Sequence, residues 1–425
     1  MQEPTCIQRP CACLQKPCKM RKVLLTILIS LASAGILLAK EKKAVIIIVD
    51  GIPMDVVERL HVPVLYDIAS RGALGPSYVG GEVGTYSQTP TISAVGYNTM
   101  LTGTWVNKHN VWGNSKQSPN YHYWSIFRIA KAQKEPVTTG LYSSWTDNRT
   151  VLIGAGKPET DYLSIDYVRD GYDLDKVNYP KKENDLHVFD YDEKVSREAA
   201  ESIRNDAPVL SWVYLWYTDD AAHRYGDGPE MDEAVRKAGE QIQRVWDAVQ
   251  YRQAHFDEDW LIVVTTDHGR AVKGYRHGGQ SARERKTWIA TNAKVNKYFR
   301  KGKASMVDIN PSVCRFLDFE VPFEVAIERD GIPFIGDIDI TDMDLARYGD
   351  TVTVTWTAVD KKAPVKVYLA ESNEFKDTGH EKWTLVGEVK ASEECFRVQV
   401  PGGKFCKIAL VAPDNTLNRW YADKL

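Results

Sequence analysis

The chain has 425 residues, of which 43% are apolar, 26% charged and 10% aromatic, a globular balance that excludes collagen-like, low-complexity and wholly disordered classes. Lys and Arg number 54 against 57 Asp and Glu, a formal charge of −3, which argues against a strongly basic face and against binding of a nucleic-acid duplex. At roughly 150 residues per domain the length allows two or three domains, at least one with a large core.

Residues 1–39 read as an upstream extension and signal peptide. Met20-Arg21-Lys22 is basic, Val23 to Ala39 is an almost unbroken apolar run containing Ala32, Ser33, Ala34 and Gly35, and Lys40-Glu41-Lys42-Lys43 restores polarity. This is the layout of a secretory signal at about residues 20–39. The run lies at the short edge of what crosses about 30 Å of hydrocarbon. Cleavage, a mature start near Lys40, no stable membrane span afterwards, and a periplasmic or extracellular location are therefore expected. Cys6, Cys11, Cys13 and Cys18 precede Met20 at intervals irregular for a tetrathiolate zinc site, and Met20 is read as the true start. Of the remaining cysteines, Cys395 and Cys406 could close a hairpin disulfide.

From Ala44 to about Phe334 continuous apolar runs alternate with amphipathic stretches. Strands are predicted at 44–49, 137–142, 209–217 and 260–266, and helices at 54–70 (interrupted at Pro63), 193–205 and 230–256. Strands apolar at every position are buried on both faces, so the pattern predicts a three-layer α/β/α domain with a mostly parallel sheet over residues 40–337. From Ile338 the texture changes to period-2 alternation at 351–356, 365–369, 383–389, 396–400 and 405–411, with turns at Pro401-Gly402-Gly403 and Pro413-Asp414-Asn415. Residues 338–425 thus read as a small antiparallel sandwich resembling a fibronectin type III module. Trp356, Tyr368 and Trp383 read as its core rather than as a glycan platform.

In open α/β sheets ligands sit beyond the carboxyl ends of the strands. The first strand ends in Val49-Asp50-Gly51, and the strand at 209–217 runs into Thr218-Asp219-Asp220-Ala221-Ala222-His223. That at 260–266 runs into Asp267-His268-Gly269, and His277 follows nine residues after His268. Asp219 and His223 at i and i+4 share a helical face. Asp50, Asp219, His223, Asp267, His268 and His277 form an oxygen and nitrogen set suited to zinc, and six ligands divide into two sites that each keep an open position. Two Zn2+ bring +4 and three aspartates −3; the residual +1 favours an anion such as phosphate. His61, His109, His122, His187, His255 and His380 read as structural, and Arg270, Arg276, Arg283 and Arg285 as solvated surface residues near the last ligands.

The stretch Gln88 to Gly103 supplies a nucleophile, with Ser93 nine residues before Thr102-Gly103. With these motifs in this order the chain resembles the alkaline phosphatase superfamily, and within it the type I phosphodiesterase/nucleotide pyrophosphatase family. The resemblance covers about 300 residues and includes Met306-Val307-Asp308-Ile309-Asn310-Pro311-Ser312-Val313 near the end of the domain. It implies Ser93 as a metal-coordinated nucleophile opening a helix. Asn114, in His109-Asn110-Val111-Trp112-Gly113-Asn114, is implied to hold a phosphate oxygen together with helix N-terminal amides. It also implies two zinc ions, one on Asp219, His223 and His277 and the other on Asp50, Asp267 and His268. The family's diesterases more often carry Thr followed by Phe-Pro-Asn, whereas this chain has Ser93-Ala94-Val95-Gly96. The additional Mg2+-site glutamate of alkaline phosphatases and the sulfatase Cys/Ser-x-Pro-x-Arg signature are absent.

The expected activity is hydrolysis of phosphodiester or pyrophosphate bonds in a small phosphate ester or nucleotide through a phosphoseryl-type intermediate. A phosphomonoesterase and a non-catalytic cell-surface binding protein are the alternatives.

Overall fold

The computed structural model describes residues 40–115 and 118–422. The signal reading and the four early cysteines lie outside them. Residues from Lys40 onward form one compact unit. Among the described residues no helix is long and apolar enough to cross a membrane.

Seven strands form the central sheet: β1 (Glu41–Val49), β2 (Ala73–Tyr78), β3 (Thr139–Ser143), β4 (Tyr167–Arg169), β5 (Leu210–Leu215), β6 (Glu258–Thr265) and β7 (Lys286–Thr291), in the order β2-β7-β6-β1-β5-β3-β4. The strands from β6 to β4 run parallel, and only β7 runs antiparallel to its neighbours. β1 shows why the sheet is sandwiched. Ala44, Ile46 and Ile48 enter one apolar core while Val45, Ile47 and Val49 enter another, because successive side chains of a strand point to opposite faces.

The helices that fill the two layers include α1 (Met54–Leu60), α2 (Pro63–Ser70), α3 (Ser93–Thr102), α4 (Leu186–Asn205), α5 (Tyr217–Tyr225), α6 (Pro229–His255) and α7 (Ile309–Phe316). The expected 54–70 helix is indeed two, since His61 adopts φ 47° and Pro63 opens the second. The strand expected over 209–217 stops at Leu215. Asp192 on α4 accepts hydrogen bonds from Trp216 N (2.9 Å) and Tyr217 N (2.7 Å), satisfying backbone donors at the start of α5 that have no partner within a helix. That turn brings Asp219 and His223 back over the sheet edge.

The C-terminal strands β8 (Ile340–Tyr348), β9 (Thr351–Ala358), β10 (Pro364–Ala370), β11 (Thr384–Lys390), β12 (Cys395–Gln399), β13 (Phe405–Val411) and β14 (Thr416–Ala422) make two antiparallel sheets, β11-β10-β13-β14 and β12-β9-β8. The two end strands, β8 and β14, escaped the pattern reading because few of their positions are fully buried. Trp356 is core, with its indole N–H donating to Ala391 O. The expected Cys395–Cys406 bond does not form. β12 pairs with β9 whereas β13 pairs with β10 and β14, so the two lie in different sheets and are free thiols.

Beneath the C-terminal end of α3, Asn310 donates to Leu101 O at 2.7 Å. Asp308 accepts from Ser305 N and Ile332 N, each at 2.7 Å, and from Tyr298 Oη at 3.0 Å. Burial nevertheless pushes Asp308 up to about 7. A folded-state value above the unfolded one contributes stability that is complete below the unfolded pKa, about 4, and is lost as pH rises through 7. The stability advantage of wild type over Asp308→Asn in urea should therefore shrink between pH 5 and pH 8. Parallel pH profiles for the two proteins count against this.

Candidate metal centre

β1 lies between β5 and β6, with Val49 opposite Leu215 and Ile48 opposite Thr265, so the chain leaves three adjacent strand tips side by side. Asp50 follows the first, α5 with Asp219 and His223 the second, and Asp267-His268 the third. Gly51 turns the chain at φ 65°, and a Cβ there would meet Arg270 Nη2 at 2.6 Å and Asp219 Oδ1 at 2.8 Å. Glycine is required on both counts.

Two acceptor clusters result, Asp50 with Asp267 and His268, and Asp219 with His268 and His277. In the first, His268 Nε2 lies 3.4 Å from Asp50 Oδ1 and 3.3 Å from Asp267 Oδ2; both oxygens are buried without a hydrogen-bond partner. In the second, His223 Nε2 is 3.3 Å from Asp219 Oδ2 and 3.1 Å from His277 Nε2, and His277 Nε2 is 3.7 Å from Asp219 Oδ1. All six sequence-read ligands converge, and His268 stands between the two clusters.

The tautomers follow from what lies behind each ring. His223 Nδ1 faces Tyr275 O (2.8 Å), His268 Nδ1 faces Gly269 O (2.9 Å), and His277 Nδ1 faces Thr91 O (2.9 Å). A carbonyl only accepts, so each Nδ1 carries a proton, and in the neutral ring each Nε2 presents a lone pair. Lone pairs of His223 and His277 facing each other, and that of His268 facing two orphaned carboxylate oxygens, repel unless a cation lies among them. This donor set fits divalent metal ions, and the backing carbonyls are contacts of the kind that orient histidines on a metal.

The carboxylates are held from behind as well. Tyr97 and Tyr214 donate to Asp50 Oδ2, the latter at 2.7 Å, and Thr218 Oγ1 donates to Asp50 O at 2.5 Å. Gly51 N donates to Asp267 Oδ1 at 3.0 Å. Burial, reinforced by Asp267 and Asp219, pushes Asp50 well above the ordinary carboxylate range; burial pushes Asp267 up to about 7. Burial also opposes ionisation of Asp219, but the Arg270 charge and the His223 contact outweigh it and hold that carboxyl well below the usual range. Burial lowers His268 and His277, whereas the contact with the Asp219 carboxylate raises His223 by favouring its protonated form.

Arg270 corrects the sequence reading. It is fully buried, donating to Asp219 Oδ1, to Gly51 O (2.9 Å), to Gly274 O (3.2 Å) and to Asp219 O (3.1 Å). An arginine beside an acidic cluster is desolvated when it binds the cluster, and its position just after Asp267-His268-Gly269 was the available signal. Arg283 and Arg285 are also engaged, Arg283 with Asp55 and Asp227 and Arg285 with Gly81 O; Arg276 is exposed. Tyr97, missed in the sequence, sits four residues after Ser93 on the same helical face.

Ser93 is the first residue of α3, 5% exposed, with Oγ 3.3 Å from His268 Nε2. Gly103 ends the helix at φ 68°. Asn114 lies beside it, accepting from Ala94 N at 2.9 Å. That amide, expected to face substrate, is therefore occupied by Asn114. Gly96 lets α3 approach the third strand tip, since a Cβ there would meet Asp267 O at 2.8 Å.

The sheet is mostly parallel and the acceptor clusters lie beyond its carboxyl edge, where open α/β sheets bind ligands. Residues 44–332 match the family model for type I phosphodiesterase / nucleotide pyrophosphatase, and the chain belongs to that family. GPI ethanolamine phosphate transferase 1 of Yarrowia lipolytica (strain CLIB 122 / E 150) is 25% identical over 220 residues, covering 50% of this chain and 22% of the transferase. The match thus spans about a fifth of that relative's length. A 2-O GAG sulfatase shares the fold at a TM-score of 0.50 and 12% identity, over 75% of this chain and 81% of its own. Murine ectonucleotide pyrophosphatase / phosphodiesterase 5, an inactive form in complex with AMP, gives a TM-score of 0.46 at 13% identity over 66% and 96% of the two chains.

Gly96→Ala should push α3 away from Asp267 and move Ser93 out of line. With Ser93 as the reacting group, a displacement of about 1 Å would cost on the order of 10²-fold in turnover, while metal content should hold. Unchanged turnover would show that the close approach is not needed.

Proposed function

We propose that the chain is an exported, zinc-dependent phosphoric ester hydrolase that cleaves phosphodiester or pyrophosphate bonds in a small phosphate ester or nucleotide. One observation carries the reading: the Ser93 hydroxyl, at a helix N-terminus, lies 3.3 Å from the imidazole nitrogen around which both acceptor clusters gather. Asp50, Asp267 and His268 would hold one zinc ion, and Asp219, His223 and His277 the other, with Ser93 beside them. When bound, such ions supply positive charge for the transferring phosphoryl group and lower the pKa of a nearby hydroxyl.

Ser93 Oγ attacks phosphorus as its proton leaves to water, and the bond from phosphorus to the leaving oxygen breaks on the opposite side. The phosphoryl group is then an ester of Ser93, which water hydrolyses to restore the hydroxyl. Asn114, whose Oδ1 accepts from the Ala94 amide, steadies a non-bridging oxygen. The remaining amides of the first turn of α3 favour the anion, as helix N-termini do. Arg270 keeps Asp219 ionised and adds a further buried positive charge.

Replacing Ser93 by Ala should lower kcat/KM for bis(p-nitrophenyl) phosphate by about 10³-fold or more while two zinc ions per chain are retained; turnover within tenfold of wild type would remove Ser93 as nucleophile. Chelation should abolish turnover and added Zn2+ restore it. Faster turnover of p-nitrophenyl phosphate than of the diester would favour a monoesterase, and failure to turn over either would favour a binding protein.

A further inference from the structure

We propose that the C-terminal β region acts as a clamp on the two segments that flank the nucleophile helix, with Asn120 and Tyr86 as positioning residues. The role rests on the reading of Ser93 and Asn114 above and assigns a function to a part of the chain that supplies none of the ligands.

The segment leading into α3 is held by β14. Tyr86 stacks on Trp420 with ring centroids 5.2 Å apart and accepts from Trp420 N at 3.0 Å, and Arg419 pairs with Glu82. The segment leaving α3, which carries Asn114, is held at several points. Fully buried Lys108 donates to Asn418 Oδ1 (2.6 Å), Asp330 Oδ1 (2.6 Å) and Glu328 O (2.7 Å). Asn120 Nδ2 donates to Lys376 O at 2.7 Å, and Tyr123 packs on Phe375 with ring centroids 5.0 Å apart. His122 occupies the space beside Gly379, where a Cβ would meet its Nδ1 at 2.8 Å.

These contacts hold the chain on either side of one bond, Ala94 N to Asn114 Oδ1. Ala94 is in the first turn of α3, where an amide has no intrahelical acceptor. Its protection from solvent exchange therefore reports how firmly Asn114 is held, without reference to catalysis.

Asn120→Asp replaces the donor to Lys376 O by a carboxylate oxygen that repels that carbonyl, while Oδ1 still accepts from His122 N. The expected result is exchange of the Ala94 amide faster by roughly fivefold or more, as loss of one hydrogen bond implies, with β1 and β6 amides unchanged. Diester kcat/KM should fall by a similar factor with two metals retained. In an Asn114→Ala background the same substitution should cost less than about twofold, because coupled residues are non-additive. Tyr86→Phe, which keeps the ring stack, should act in the same direction and serves if Asn120→Asp does not fold. Ala94 exchange within about twofold of wild type in the folded variants, or turnover losses that simply add to that of Asn114→Ala, overturn the clamp. A wild-type protein without turnover would sink the hydrolase reading and leave the exchange result to decide the clamp.

Discussion

The centre of this molecule is a concentration of hydrogen-bond acceptors that repel one another. Three imidazole lone pairs and three carboxylates meet beyond the sheet's carboxyl edge, and the structure tolerates this because every member is gripped from the other side. Backbone carbonyls at Thr91, Gly269 and Tyr275 fix the ring tautomers. Tyrosine hydroxyls and the Arg270 guanidinium share the burden of the acids. Such an arrangement lowers its energy by taking up cations, and it is pre-organised for them.

The sheet exists to hold that edge still. Strands buried on both faces cannot shift register without turning their side chains toward the wrong core, so the tips of β1, β5 and β6 are fixed relative to one another. The ligands hang from those tips on short connections, and Gly51 and Gly96 are the points where the packing leaves no room for a Cβ. The β region extends the same logic to the segments around α3, since its buried Lys407 pairs with Glu328 and Glu381 and β14 contacts the segment that leads into that helix.

Much of the fold was legible because apolar runs and period-2 alternation each reflect a particular burial geometry: β1, β5, β6 and α6 are long or fully buried, whereas α4 begins at Leu186, seven residues before its expected start at Glu193. β2, β4 and β7 were missed, β2 containing Gly75 and Pro76 and β4 spanning only three residues. The acids and histidines that gather at the sheet edge were legible as a set because most of them follow strands. Their supporting partners were not: nothing in the local pattern around Asp192 shows that it caps α5, or around Tyr214 that its hydroxyl reaches Asp50.

The sequence by itself determined the alternation of strand and helix and the placement of acids and histidines at strand ends, because each depends on residues near in the chain; that Ser93 opens a helix followed only from the family resemblance. Only the tertiary structure decided which acceptors face one another, that Arg270 is buried on Asp219 rather than solvated, and that Cys395 and Cys406 lie in different sheets. Those outcomes depend on strand order and on desolvation by segments far away in the chain, and no local spacing encodes either.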